Sequence, residues 1–223
     1  MRLSVTSCSA WKLYVIIDRD ACGEHDMAAI ASAAIRGGAD ALQLRRKRAT
    51  DAQARQDAER LLPLARAGGI PLIINDRIEV AEASGADGVH LGQDDPPVAE
   101  ARRALGPTRL IGKSTHSLEQ AVAAEAEGAS YIGLGPIFPT PTKPAYGSIG
   151  PGLIAEVRAR VRIPIVCIGG LDSTTLPSVL EAGAGCVAVV RAVCAAEDPE
   201  AAARILKAAM MRQPSRTTLA GGL

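Results

Sequence analysis

Four triplets, Gly38-Ala39-Asp40, Gly85-Ala86-Asp87, Gly128-Ala129-Ser130 and Gly183-Ala184-Gly185, each stand between an Ala-rich stretch and a short apolar run. Glycine at such a junction suits the left-handed residue that ends a helix. The triplets precede the second, fourth, sixth and eighth apolar runs, so the chain repeats every two β/α units. These runs predict strands over 13–18, 41–45, 71–75, 88–92, 109–115, 131–135, 164–170 and 186–190. Apolar spacing of three and four residues, as in Ile154, Val157 and Val161, predicts helices between them. Their expected spans are 26–36, 50–67, 77–84, 96–105, 117–127, 152–161, 173–182 and 199–211. The strands are apolar on both faces, which suits parallel strands covered by helices. Eight such units with a pairwise repeat predict an α/β chain folded as a single (β/α)8 TIM barrel. A doubly wound open sheet gives no reason for an eightfold count, and no GxGxxG follows the first strand. The expected domain layout is an N-terminal extension over 1–12, the barrel over 13–211 and a flexible C-terminal tail over 212–223.

Composition removes several classes of function. Lys plus Arg is 25 against 24 for Asp plus Glu, so the net charge of +1 argues against nucleic-acid and membrane-surface partners. Only Trp11, Tyr14, Tyr131, Phe138 and Tyr146 are aromatic. The core is therefore expected to be Ala, Val, Leu and Ile, with no stacking platform for single-stranded nucleic acid. The five cysteines are scattered without a CxxC pair, which predicts a reducing compartment, no disulfide framework and no zinc site. No apolar run approaches the length of a signal-peptide core or a membrane span, so the expected location is the cytoplasm. A homo-oligomer is compatible with all of this.

In barrels of this kind, reacting groups gather at the C-terminal ends of the strands. Polar residues of this sequence fall there in order: Gln43-Leu44-Arg45-Arg46-Lys47-Arg48, Asn75-Asp76, Gln93-Asp94-Asp95, Lys113-Ser114-Thr115-His116, the run from Gly135 to Lys143, and Gly169-Gly170. Each group also has an ordinary structural explanation. Arg45 to Arg48 would serve as a solvated charge run, and Asn75-Asp76 and Asp94-Asp95 as helix caps. His90 reads as a satisfied core residue, and His116 lacks an acidic sequence neighbour for a triad. Their convergence on one rim favours chemistry on a phosphorylated substrate. Asp76 and Asp95, from neighbouring strands, can share a hard divalent cation such as Mg2+, which takes one or two carboxylates plus water and phosphate oxygens. Arg45, Lys47 and Lys143 would offset a diphosphate. Thr140 and Thr142, with backbone N–H groups after the last two strands, would cup a second phosphate.

At these residues the sequence resembles the thiamine-phosphate synthase (thiamine-phosphate pyrophosphorylase) family, whose sister branch is thiazole tautomerase. The markers are Gln43-Leu44-Arg45-x-Lys47, Asn75-Asp76, Gly88-Val89-His90-Leu91-Gly92-Gln93-x-Asp95, Gly112-x-Ser114-x-His116, Gly133-x-Gly135-Pro136-x-x-Pro139-Thr140-x-Thr142-Lys143 and Ile168-Gly169-Gly170. The resemblance implies a transferase of thiamine biosynthesis with small-molecule substrates. It would condense 4-amino-5-hydroxymethyl-2-methylpyrimidine diphosphate with 4-methyl-5-(2-phosphooxyethyl)thiazole, releasing pyrophosphate. It further implies that Gln43, Arg45, Lys47, Asn75, Ser114 and Lys143 hold the pyrimidine diphosphate. Thr140, Pro141, Thr142, Gly170, Val190 and Arg191 would hold the thiazole phosphate, and Asp76 and Asp95 would hold Mg2+. Arg45, Lys47, Ser114 and Lys143 would act on the departing diphosphate.

Three positions depart from the family pattern. Arg46 stands where an acidic residue is usual, Arg191 stands where Ser is common, and the 144–150 loop lacks the usual acidic or Arg-containing pattern. The alternatives are a thiazole tautomerase-like isomerase and a non-catalytic barrel that binds a phosphorylated metabolite. Pro136, where the tautomerase branch tends to carry His, and the intact Asp76/Asp95 pair favour the synthase.

Overall fold

The computed structural model of the chain describes residues 8–141 and 147–212. Eight parallel strands close in sequence order into one barrel, with β8 hydrogen-bonded back to β1. They are β1 Leu13–Asp18, β2 Ala41–Arg45, β3 Leu72–Asn75, β4 Gly88–Leu91, β5 Leu110–Thr115, β6 Tyr131–Leu134, β7 Ile165–Ile168 and β8 Cys186–Val189. The helices are α1 Arg19–Cys22, α2 Met27–Arg36, α3 Asp51–Ala67, α4 Ile78–Ser84, α5 Val98–Leu105, α6 Leu118–Ala126, α7 Gly152–Arg160, α8 Leu176–Glu181, α9 Arg191–Cys194 and α10 Pro199–Met211. All eight expected strands and all eight expected helices are present. β7 stops short of 170 because Gly169 and Gly170 turn out of the strand with φ of 101° and 63°. α8 starts after 173 because Asp172 Oδ1 first accepts from the N–H groups of Thr174 and Thr175, at 2.8 and 3.0 Å. The four-residue α1 and α9 were not expected, being too short for periodicity to register.

The repeated triplets have a physical function beyond ending helices. Their glycines adopt φ of 96°, 70°, 84° and 95°, where a side chain is disfavoured. The third residue then reaches back to the preceding strand of the pair. Asp40 Oδ2 accepts from the Lys12 and Leu13 N–H groups at 2.8 and 2.9 Å, and Asp87 Oδ2 from Leu72 N–H at 2.9 Å. Ser130 Oγ accepts from Ile111 N–H at 3.0 Å. β1, β3 and β5 are thereby fastened at their starts by the triplets that introduce β2, β4 and β6, while Gly185 of the fourth triplet has no side chain to do the same for β7.

Most of the apolar core is Ala, Val, Leu and Ile between the barrel and its helices, as expected. The barrel interior differs. Trp11, Tyr14 and Tyr131 fill it together with Cys8, Ile73, Val166 and Cys186. Trp11 is 1% exposed and its ring lies 5.5 Å from Tyr14 and 5.4 Å from Tyr131. Above this plug the inward positions turn polar: Gln43, Asn75, His90 and Ser114 stand on successive strands. Alternation along each strand thus seals one end of the barrel and makes the other reactive.

Candidate active site

A cavity of ≈ 490 Å³ opens at the C-terminal ends of the strands. Of the expected site residues, Gln43, Arg45, Asn75, Ser114, Thr140, Pro141, Gly170, Val190 and Arg191 all line it. Lys47 and Asp76 stand together beside it. Thr142 and Lys143 lie outside the described residues.

The four consecutive cations after β2 take four different directions. Arg45 faces the cavity and is held by Asp18, at the end of β1 and directly across the ladder. Arg46 turns away and pairs with Asp57 of α3 at 2.8 Å, so its departure from an acidic residue adds no charge to the cavity. Lys47 pairs with Asp76, and Arg48 is exposed, 3.7 Å from Asp20. Only Lys47 and Arg48 of the four are solvent-exposed, and each stands against an acid.

Asp76 and Asp95 are not spent on capping, since neither α4 nor α5 has a side-chain cap. Asp76 is the one non-glycine residue with positive φ, 65°, among the described residues. Its N–H donates to His90 O at 2.8 Å, which carries the β3–β4 ladder one residue past Asn75. Holding such a backbone costs roughly 1 kcal/mol or more, and strain of this kind persists where surroundings enforce it. Asp95 Oδ2 accepts from Gly92 N–H at 2.6 Å. Burial raises the Asp95 pKa, and the Asp76 carboxyl raises it further by hydrogen bonding and charge, against the lowering influence of Gly92 N–H and Lys47. The two carboxyls therefore meet. The buried Lys113 steadies the same loop by donating to Gly92 O at 2.7 Å.

Asn75 is 9% exposed, and its Nδ2 is buried without a hydrogen-bond partner. An orphaned donor in a cavity wall costs about 1–3 kcal/mol unless a ligand accepts from it. Gln43 and Ser114 are buried in the same wall and are linked through Tyr14, Tyr131 and His90. His90, expected as a satisfied core residue, is satisfied but also lines the cavity. His116 lines it too, with Nδ1 against Gly135 O. Burial raises the pKa of Tyr14 and Tyr131 and pushes the Cys167 thiol up to about 12, so these groups stay protonated.

On the opposite side, Gly170 lets the segment after β6 lie close across the end of β7. A Cβ there would meet Phe138 Cβ at 2.7 Å and Pro139 O at 2.8 Å. Thr175 Oγ1 donates to Gly170 O at 2.9 Å and fixes the turn. Thr140, Gly170 and Arg191 consequently share one side of the cavity, while Arg45 and Asn75 occupy the other.

Sequence reasoning missed Asp18, Tyr14 and Tyr131; it named Lys113 and His116 at the end of β5 but gave them no role in the site. The first three were detectable, because they occupy the same two-residue inward register as Gln43, Arg45 and Gly133 on their own or neighbouring strands.

A family model described as thiamine monophosphate synthase matches residues 13–193. The chain is 47% identical over 207 residues to a thiamine-phosphate synthase of Chloroflexus aurantiacus, covering 92% of this chain and 95% of that one. It is 49% identical over 198 residues to that of Roseiflexus castenholzii, covering 87% and 86%. The solved structure of a thiamine phosphate pyrophosphorylase from Pyrococcus furiosus superposes with a TM-score of 0.85 at 35% identity, covering 92% of this chain and 98% of that one. The chain belongs to the thiamine monophosphate synthase family.

Proposed function

We propose that the chain condenses 4-amino-5-hydroxymethyl-2-methylpyrimidine diphosphate with 4-methyl-5-(2-phosphooxyethyl)thiazole, forming thiamine phosphate and pyrophosphate, with Asp76 and Asp95 holding Mg2+. Synthesis of thiamine phosphate follows from the relatives and the family. The observation that carries the site reading is the meeting of two carboxyls beside a paired lysine, in the loops after β2, β3 and β4, next to an orphaned buried amide that lines the cavity.

The donor set fits magnesium. Among the described residues no cluster of three His, Cys, Asp or Glu is placed to hold a metal. A tight all-protein cage is therefore absent there, whereas Mg2+ needs only one or two carboxylates, the rest of its shell being water and phosphate oxygens. When bound, it supplies positive charge to the diphosphate oxygens.

The protein's own groups then divide the work. Arg45, aimed by Asp18, forks onto the diphosphate, and Lys47 adds a second charge from beside Asp76. Lys143 belongs to this set by its place in the family motif. Asn75, Gln43 and Ser114 hold the pyrimidine ring so that its methylene faces the thiazole. Thr140, Pro141, Thr142, Gly170, Val190 and Arg191 hold the thiazole phosphate, Arg191 replacing a hydroxyl with a full charge. The carbon–oxygen bond to the diphosphate breaks early, and the thiazole nitrogen attacks the resulting pyrimidinylmethyl cation. No enzyme nucleophile is required, in keeping with the buried, protonated Cys167. Catalysis is orientation plus electrostatic stabilisation of the leaving group.

The test is incubation with both substrates and Mg2+, measuring pyrophosphate. Release that requires the thiazole phosphate and stops in EDTA supports the proposal. Pyrophosphate formed without thiazole phosphate, or full turnover in EDTA, refutes it.

A further inference from the structure

Five side chains form an unbroken line of hydrogen bonds across the barrel beneath the cavity. Gln43 Nε2 donates to the Tyr14 hydroxyl at 2.9 Å, and the Tyr14 and Tyr131 hydroxyls are 3.0 Å apart. The Tyr131 hydroxyl is 3.1 Å from His90 Nδ1, and His90 Nε2 is 3.0 Å from Ser114 Oγ. The line crosses five strands: β2, β1, β6, β4 and β5. Gly112 makes room for it, since a Cβ there would stand 2.3 Å from Tyr131 Cζ and 2.4 Å from His90 Nδ1.

Proton counting gives such a line a direction. Each phenol has one proton, a neutral imidazole has one N–H, and an amide nitrogen only donates. With Gln43 donating to Tyr14, the Tyr14 proton goes to Tyr131, and the Tyr131 proton goes to His90 Nδ1. His90 then carries its proton on Nε2 and donates to Ser114 Oγ. The Ser114 proton is left for the cavity. At the other end Gln43 presents Oε1 to the cavity. The opposite direction would place the His90 proton on Nδ1 and consume the Ser114 proton within the line; it requires either a turned Gln43 amide or a Tyr14 oxygen that accepts twice and leaves its own proton unpaired in the interior.

We infer that Tyr14, Tyr131 and a neutral, Nε2-protonated His90 are positioning residues that set the specificity for an aminopyrimidine. They hold Gln43 as an acceptor and Ser114 as a donor toward the substrate. This rests on the substrate proposed above. An exocyclic amino group donates and ring nitrogens accept, so a wall with one fixed acceptor and one fixed donor matches that edge. A 4-oxo pyrimidine would set an acceptor against Gln43 Oε1 and be rejected, as sites built around hydrogen bonds reject analogues that leave them unpaired. Burial raises the pKa of both tyrosines, which keeps their protons in the line.

The chain has three histidines, so long-range 1H–15N NMR resolves the His90 tautomer directly, with His25→Gln and His90→Gln spectra for assignment. The expected result is protonation at Nε2 with Nδ1 accepting a hydrogen bond; protonation at Nδ1 overturns the inference. Tyr131→Phe keeps the ring and its packing on Trp11 but removes the central link. It should shift the Nδ1 resonance and raise KM for the pyrimidine diphosphate about tenfold. KM for the thiazole phosphate and kcat should stay within about threefold. The preference for the 4-amino over the 4-oxo diphosphate should fall at least about tenfold in the same variant. Unchanged preference, or equal effects on both substrates, refutes a positioning role. Wild-type protein that releases no pyrophosphate refutes the substrate reading and this inference with it, whereas active wild type with the opposite tautomer refutes this inference alone.

Discussion

Replacing Asp95 with Asn should lower turnover while stabilising the metal-free protein. Burial and the neighbouring Asp76 carboxyl raise the Asp95 pKa, so ionising Asp95 in the fold is unfavourable. Two unit charges 4 Å apart repel by about 4 kcal/mol at an effective dielectric near 20. Lys47 on Asp76 cancels much of that, and solvent reaches the Asp76 side chain, which is 19% exposed. After this screening about 1 kcal/mol remains. Asn keeps an oxygen for the Gly92 N–H, 2.6 Å from the present carboxylate, so the loop anchor survives. In EDTA at neutral pH the variant should therefore melt about 2–4 °C above wild type. The pH sign follows from linkage. A raised carboxyl pKa contributes stability that is present below the ordinary carboxylate range and is lost as pH rises through the folded-state value. Asn does not titrate, so the gap opens with rising pH and closes toward about pH 4. Mg2+ with pyrophosphate should reverse the order by stabilising wild type far more than the variant. Turnover should fall about 10²-fold or more. Thermal melts across pH, with and without Mg2+ and pyrophosphate, read all of this. A variant less stable than wild type in EDTA at neutral pH, or one with full turnover, would mean that the two carboxyls do not share a site.

Asn75→Leu removes the orphaned buried amide; melts should show stability unchanged or slightly raised, while KM for the pyrimidine diphosphate rises about tenfold or more. Arg46→Gln should leave kcat within about twofold, because its 2.8 Å pair with Asp57 faces α3, and denaturant titration should show a loss of about 1 kcal/mol or less. Asp40→Ala strips the acceptor from two backbone N–H groups and from Lys207, so it should cost about 3 kcal/mol in denaturant titration with kcat unchanged.

The fold was legible because its signals are local and repeated. Strand runs, helix spacing and the Gly-Ala-x triplets all act within a few residues, and closure follows once eight parallel strands each need covering on both faces. What the triplets fasten was not legible, because Asp40 and Ser130 reach across to neighbouring strands. The site was readable where loops present charged residues at strand ends, as with Arg45, Asp76 and Asp95. It was unreadable where identity depends on what stands opposite. Asp18 looks like a helix cap, and it does accept from Ala21 N–H at 3.0 Å, yet it also aims Arg45 across the β1–β2 ladder. Tyr14, Tyr131 and His90 look like ordinary strand residues until closure brings β1, β4 and β6 within hydrogen-bonding reach. The four cations after β2 are adjacent in sequence, as a charge run or as diphosphate ligands, and take four directions in space.

That separation of directions bears on how an anion enters. Among the described residues on the proposed diphosphate side, Arg45 pairs with Asp18 and Lys47 with Asp76, while Lys113 donates to Gly92 O on the loop that carries Asp95. Three carboxyls thus stand with three cations. Before Lys143 is counted, these pairs leave no excess of positive charge, and the carboxyl contact at Asp76 and Asp95 works against an anion. A divalent cation held by those two carboxyls, as proposed, would reverse the local sign and free Lys47 from neutralising Asp76. On that reading, the pairing of Lys47 with Asp76 would let metal and diphosphate reinforce each other. A group such as Arg45, fixed in place by Asp18 before either arrives, needs no reorganisation when the leaving charge develops.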